Sequence, residues 1–184
     1  MSEQSFLVAT DVETTGLDPA QGDVLLEIFV YILEDKYPYK KVEEQGFHRI
    51  IKHDPVTTRE NAVEFVQNMH DVTGLWDKLT EGTPVDQVDT ELLAYLQRFM
   101  KRREGRIMGN SIRLDMNFLD AFLPKTAAFL HYRSLDVSGL AWFAHTEFNA
   151  PYYEKDASVE HTAKGDIEAS IQELRHIREY LDNQ

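Results

Sequence analysis

Apolar residues run together or alternate with polar residues in the first third of the chain, a pattern that indicates β-strands. The turn-rich segment at residues 18–23 is short enough to connect the first two of them as a hairpin. Two further short apolar runs lie later, between segments with helical spacing. The five predicted strands are residues 6–13, 24–33, 47–51, 106–109 and 134–137.

Helical spacing of apolar residues follows the third strand and continues to the end of the chain. The apolar stripes are Ala62, Phe65, Val66 and Met69; Val88, Leu92, Tyr95, Leu96 and Phe99; Leu114, Phe118, Leu119 and Phe122; residues 140–143; and Ala163, Ile167, Ile171, Leu174, Ile177 and Leu181. Asn110 or Ser111 can cap the third of these helices, which we expect to end before Pro124. Three early strands, then strands alternating with helices, predict an α/β fold with a mixed five-stranded sheet flanked by α-helices.

The length of 184 residues fits one domain with a substantial core. There is no run of 18 apolar residues, and no charged leader precedes an apolar stretch, so we expect neither a transmembrane span nor a signal peptide. The absence of cysteine excludes disulfides and thiolate metal sites. Together these features predict a cytoplasmic protein with no membrane partner.

The net charge of −13 bears on the kind of partner. A protein that tracks a long nucleic acid normally presents a basic stripe to the phosphates, whereas the densest basic cluster here is residues 101–103. A nucleic-acid substrate would therefore be very short and held by metals and a few cations. The alternative is that the acidity serves only solubility, and the sequence leaves both open.

Candidate chemistry comes from acidic residues in distant segments. Asp11 and Glu13 end the first strand, where residues two apart point to the same face, so their carboxylates project together. Asp115 opens one later helical pattern, and Asp166 lies in another, five residues after His161. Four converging carboxylates would repel one another unless cations lay between them, which indicates a site for Mg²⁺ or Mn²⁺.

Such a site is suited to phosphodiester hydrolysis. Two cations about 3.5–4 Å apart stabilise both the attacking and the leaving oxygen of the displacement. A histidine, with an ordinary pKa of about 6.5, can accept the proton of the attacking water, and His161 is the candidate. The simpler interpretation is that, among 32 acidic residues, a close pair of acids is only solvated surface.

The spacing of these residues resembles a known family. Asp11-x-Glu13-Thr14-Thr15-Gly16, the later Asp115 and His161-x-Ala163-x-x-Asp166 together resemble the DEDDh family of 3′→5′ exonucleases. The resemblance implies an RNase H-like fold, a single exonuclease domain over residues 1–184 and two divalent cations, Mg²⁺ or Mn²⁺. Asp11, Glu13, Asp115 and Asp166 would bind the metals, and His161 would be the general base.

Three other segments resemble the oligoribonuclease branch of that family. They are residues 109–112 before Asp115, the eight residues from His131 to Ser138, and His70-x-x-Thr73-Gly74-Leu75. The similarity runs from about Phe6 to Tyr180, and the stretch 131–138 is its most specific part. It implies hydrolysis of short RNA, especially dinucleotides, to nucleoside 5′-monophosphates.

The same resemblance implies a substrate site. Leu17 would wedge between the two bases of a dinucleotide, and Phe65 and His70 would flank them. A polar pocket of Ser111, Arg133 and Ser138 would cap the far phosphate. Tyr132 would reach that pocket from a partner subunit, so we expect a homodimer.

Two positions depart from the oligoribonuclease pattern. Thr14 stands where those enzymes typically have methionine, and Phe65 stands where they have tryptophan. Thr14 and Thr15 also match the proofreading exonuclease subunit of DNA polymerase, so a 3′→5′ exonuclease on single-stranded DNA is the alternative. A non-catalytic binding module that has kept the fold is a third hypothesis.

Overall fold

Five strands form a single mixed sheet in the computed structural model, which describes residues 5–154 and 162–183. They are β1 (Phe6–Thr14), β2 (Leu25–Glu34), β3 (Phe47–Ile50), β4 (Gly105–Gly109) and β5 (Leu135–Asp136). Their order across the sheet is β3-β2-β1-β4-β5. The first three strands pair antiparallel, whereas β4 runs parallel to both β1 and β5. The predicted mixed five-stranded sheet is confirmed.

The described residues contain eight α-helices. They are α1 (Pro55–Asn61), α2 (Glu64–Thr73), α3 (Leu75–Lys78), α4 (Val85–Gln97), α5 (Arg113–Phe122), α6 (Pro124–Phe129), α7 (Val137–Phe148) and α8 (Ala163–Asp182). The apolar pattern predicts no helix at α1, α3 or α6, which are short and carry too few apolar positions for a clear stripe. None of the eight combines the length and the apolar character that crossing a bilayer requires.

Helices cover both faces of the sheet. Side chains alternate along each strand, so Val8 and Ile28 face a core shared with α4, α5 and α6. Leu7 and Ala9 face the opposite core, which α7 and α8 complete. Asp11 and Glu13 continue this second set by the period of two, which directs them towards α8.

The turn between β4 and α5 differs from the prediction. Ile112 occupies the N-cap position of α5, and neither Asn110 nor Ser111 caps the helix. Ser111 has a φ of 50°, in the left-handed region, and its backbone N–H donates to Ser138 Oγ at 3.2 Å. The expected cap is wrong because the chain reverses sharply here, which directs the Ser111 N–H towards the start of α7.

Candidate active site

Three carboxylates meet where β1 approaches the start of α8. Asp11 and Glu13 lie two residues apart on β1, and Asp166 lies in the first turn of α8. One oxygen from each lies within 4.8 Å of the other two. The structure therefore brings together three of the four acids that the sequence singles out.

Asp115, the fourth acid, is buried in the first turn of α5 and anchored to the same strand. Its Oδ1 accepts a hydrogen bond from the Val12 N–H at 3.0 Å, between Asp11 and Glu13. The ladder between β1 and β4 ends at Ala9, so the Val12 N–H has no strand partner on that side. Asp115 supplies one, which brings its carboxylate close enough to Asp11 for its charge to raise the pKa of Asp11.

The electrostatics of this cluster favour a bound cation. Burial raises the pKa of Asp11 to about 9, and repulsion from Asp115, Glu13 and Asp166 adds to the shift. Burial also raises the pKa of Asp115 to about 7, against the opposing effect of its backbone hydrogen bonds. Several buried oxygen donors that disfavour full ionisation form a ligand set suited to a hard divalent cation.

Glu27 is a further acid at this site that the sequence reasoning missed. It lies directly opposite Glu13 in the antiparallel register of β1 and β2, and its charge also raises the pKa of Asp11. One carboxylate oxygen lies 2.6 Å from His48 Nε2. Counting residues back from the hairpin turn could have predicted that Glu27 faces Glu13. The β1–β2 register shifts between Glu13 and Thr14, however, so such a count is offset.

Leu17 and Phe65, the proposed base-binding residues, are both exposed. Leu17 follows β1 on a turn and is 77% exposed, and Phe65 on α2 is 76% exposed. The apolar stripe predicted at residues 62–69 buries Val66 as expected but leaves Phe65 exposed, and α2 buries His70 beside Val66. Large exposed apolar side chains are typical of binding surfaces.

His70 lies beneath the acidic cluster and is fully buried. Its Nε2 lies 3.8 Å from Glu13 Oε2, and its ring meets Trp76 edge-on, with centroids 5.2 Å apart. Neither ring nitrogen has a hydrogen-bond partner of good geometry among the described residues. Burial lowers the pKa of His70, which favours the neutral imidazole. A direct contact with a base would require His70 to be uncovered.

The residues of the proposed phosphate cap lie on three neighbouring segments. The hydrogen bond from Ser111 to Ser138 joins the β4–α5 turn to the first turn of α7. Arg133 and Tyr132 are exposed just before β5, with the guanidinium carbon 5.4 Å from the centre of the Tyr132 ring. Within the described residues the Arg133 side chain makes no ion pair, so its charge is available to an anion.

Comparison with known proteins places the chain in a family. The RNase T exonuclease family matches residues 8–174. The oligoribonuclease of Leifsonia xyli is 36% identical over 178 residues, which span 94% of this chain and 82% of that protein. The chain belongs to the oligoribonuclease family. The oligoribonuclease of Dichelobacter nodosus is 30% identical over 98% of this chain and 97% of its own length.

Solved structures confirm the fold of this oligoribonuclease-family chain. Escherichia coli exonuclease I in complex with a dA16 oligonucleotide superposes with a TM-score of 0.69 over 98% of the chain, at 14% identity. The chain spans only 43% of that protein. The likeness therefore concerns the RNase H-like fold alone.

His161, the candidate base of this family, lies outside the described residues, and its role stays a prediction. The next residue, Thr162, is described and caps α8, because its side-chain oxygen accepts the Gly165 N–H at 3.2 Å. This cap fixes the first turn of the helix, where Asp166 lies.

Proposed function

We propose that this chain is a metal-dependent 3′→5′ exoribonuclease that degrades short RNA, especially dinucleotides, to nucleoside 5′-monophosphates. The observation that carries the proposal is the convergence of Asp11, Glu13 and Asp166 within 4.8 Å. This convergence occurs in a chain that matches oligoribonucleases over nearly its full length. The substrate is therefore a short single-stranded RNA, and the reaction is phosphodiester hydrolysis.

Two divalent cations, Mg²⁺ or Mn²⁺, are the cofactors in this proposal, held by Asp11, Glu13, Asp115 and Asp166. When bound, such ions stabilise the attacking and leaving oxygens of the displacement. The raised pKa values of Asp11 and Asp115 support this assignment, because a bound cation offsets the cost of burying both charges and the repulsion at Asp11.

The protein itself would supply the base and the rigidity. His161 takes the proton of the attacking water in this scheme, which a neutral imidazole can do near pH 7. Asp115 is held by the backbone of β1, and Asp166 by the capped first turn of α8. Both acids therefore come from rigid elements, so little reorganisation is needed when substrate binds.

Selection for short RNA would come from both ends of the substrate. Leu17 separates the two bases and Phe65 lies beside them, whereas His70 would contact a base only once substrate binding uncovers it. Ser111, Ser138 and Arg133 bind the far phosphate, and the planar guanidinium can bond two phosphate oxygens at once. The charge of −13 supports a short substrate, because a long strand would be repelled beyond the cap.

The active form in this proposal is a cytoplasmic homodimer of single-domain subunits, residues 1–184. Tyr132 is 67% exposed, beside Arg133, and stacks on His131 with ring centroids 4.6 Å apart. An exposed aromatic at that place can complete the phosphate cap of a second subunit. The absence of cysteine is compatible with a reducing cytoplasm.

A pentaribonucleotide labelled at its 5′ end tests the reaction, with DNA of the same sequence for comparison. With Mn²⁺ we expect labelled RNA products that shorten one nucleotide at a time from the 3′ end, and no reaction in EDTA. Asp11→Asn should abolish the ladder, whereas Asp120→Asn, an exposed acid on α5, should not. Faster cleavage of the DNA would favour the proofreading-type alternative, and release of the 5′ label first would contradict the polarity.

A further inference from the structure

Hydrogen bonds restrain the backbone of the turn on both sides of Leu17. The Thr14 hydroxyl donates to the Gly16 carbonyl at 2.6 Å, just before Leu17. The Asp18 N–H, just after it, donates to Asp23 Oδ2 at 2.9 Å. Leu17 itself projects into solvent. The backbone is therefore fixed while the leucine side chain stays uncovered.

Asp23 packs closely against this turn. A Cβ added to Gly16 would meet the Asp23 carboxylate, which would then have to move. The Thr15 hydroxyl lies 3.4 Å from the same oxygen and accepts the Val24 N–H at 2.9 Å. Glycine at position 16 thus leaves room for the Asp23 carboxylate in the position where it accepts the Asp18 N–H.

We propose that Thr14 and Asp23 are positioning residues that hold Leu17 ready to enter between the two bases of a dinucleotide. This inference rests on the proposed function, in which Leu17 separates those bases. A leucine on an unrestrained loop would lose backbone freedom when it binds, and that loss weakens affinity. A turn ordered in advance by two side chains removes most of this loss.

The hydroxyl of Thr14 makes the restraint a feature of this particular chain. Methionine, the residue typical of oligoribonucleases at this position, has no donor for the Gly16 carbonyl. Thr14 therefore supplies a restraint on the Leu17 turn that methionine at this position could not supply.

Equilibrium binding in EDTA, where no turnover is expected, tests the proposal. The ligands are a 5′-phosphorylated diribonucleotide and a nucleoside 5′-monophosphate, which has no second base to separate. The measured quantity is selectivity, the Kd of the monophosphate divided by the Kd of the dinucleotide. Leu17→Ala reports how much of it depends on the leucine.

Asp23→Ala should lower the selectivity about tenfold, as expected for losing a hydrogen bond to a charged acceptor. Asp23→Asn should retain most of it, because the amide oxygen still accepts the Asp18 N–H. Thr14→Val and Thr14→Met should each lower it about threefold, since only a neutral hydrogen bond is lost. Asp18→Ala is the matched control: among the described residues its carboxylate bonds only the Ala20 N–H, beyond Leu17, so selectivity should stay as in the wild type.

Amide hydrogen exchange gives a readout independent of ligand. The Asp18 N–H should exchange faster in Asp23→Ala, and the melting temperature identifies any loss of fold. An effect of Leu17→Ala without one of Asp23→Ala would overturn the positioning role and leave the proposed function intact. No effect of Leu17→Ala would overturn both the positioning role and the proposed dinucleotide recognition. An equal loss in Asp18→Ala would assign the effect to general turn stability and overturn the inference.

Discussion

Asp11 is a carboxylate in surroundings that disfavour its charge. Its pKa is about 9 in the folded protein and near 3.8 in an unfolded chain, so the metal-free fold retains a proton that the unfolded chain releases. The stability of the metal-free protein should therefore fall as the pH rises from about 4 to 9. This loss is the reverse of the usual behaviour of a carboxylate stabilised by an ion pair.

Asp11→Asn should remove the part of that pH dependence that Asp11 contributes, while Asp115, with its pKa of about 7, keeps its own part. In EDTA at pH 8.5 we expect the variant to melt a few degrees above the wild type, since about 1–2 kcal/mol corresponds to several degrees at this chain length. At pH 5 the difference should be much smaller, because the unfolded chain gains little from releasing the Asp11 proton so close to its unfolded pKa of 3.8. Thermal melts at the two pH values measure it, and parallel profiles for both proteins would contradict the pKa assignment.

Divalent metal should reverse the order of stability. Mn²⁺ should bind the folded acids and raise the melting temperature of the wild type through mass action. Asp11→Asn should lose most of this increase and all turnover, whereas the exposed control Asp120→Asn should keep both. An equal increase in Asp11→Asn would place the metal elsewhere.

Phe65 offers a test of base stacking at an exposed position. Phe65→Ala should weaken dinucleotide binding about five- to tenfold, the effect of losing one aromatic–base stack, with little change in stability. Phe65→Trp should strengthen binding because the larger ring covers more of the base. Val72→Ala, which alters another exposed apolar side chain of α2, is the control. Equal affinities for all three would exclude Phe65 from the site.

Residue positions differ in how far the sequence predicts them. The period of two on β1 is sufficient to bring Asp11 and Glu13 to one face, as the structure confirms. The bond from Asp115 to the Val12 N–H is not predictable, because it depends on where the β1–β4 ladder ends. The burial of His70 likewise depends on how α2 rotates against Trp76.

At the scale of elements, α6 depends on an acid from α4. The buried Asp89 accepts the backbone N–H groups of Lys125 and Thr126 at 3.0 and 2.9 Å, at the start of α6. The Thr126 hydroxyl also donates to the Asp89 carbonyl at 3.2 Å. This junction precedes the segment that carries Tyr132 and Arg133, so it helps to position these two residues of the proposed phosphate cap.

Asp89→Ala should lower the free energy of unfolding by about 2–4 kcal/mol, because two buried N–H groups lose their acceptor. Denaturant unfolding measures the change. Asp86→Ala, an exposed acid of the same helix, should shift it by less than about 1 kcal/mol. Similar losses in both variants would show that the buried cap is not what holds α6.

The elements themselves follow the sequence to different degrees. The strands and α8 are predicted because their apolar positions are regular, and α8 buries Ala163, Ile167, Ile171, Leu174 and Ile177 as expected. The short helix α6 has no such stripe and depends on Asp89, which is distant in sequence. The cap expected at Ser111 fails for a related reason, since its partner Ser138 lies on another helix.

At the scale of the whole molecule, the proposed dimer makes each active site depend on two chains. We expect a sedimentation mass of about twice that of one chain at micromolar concentration. Tyr132→Ala should lower the rate on dinucleotides because it removes a residue from the opposite cap. A monomer with full activity would contradict the proposal.

Mixed dimers test whether Tyr132 acts across the interface. When Tyr132→Ala and Asp11→Asn chains exchange subunits, half of the dimers combine one of each. Such a dimer has one site with both an intact Asp11 and an intact Tyr132, so about a quarter of the wild-type rate should return. Either variant alone is the control, and no recovery after verified exchange would place Tyr132 within its own subunit's site.

The length dependence of hydrolysis tests the central claim most directly. The substrates are 5′-labelled RNAs of two to ten residues, each with Mn²⁺ and with EDTA. We predict that the dinucleotide disappears far faster than the longer RNAs and that EDTA stops every reaction. Equal rates at all lengths would contradict the dinucleotide site of Leu17 and Arg133, and hydrolysis that persists in EDTA would contradict the metal centre itself.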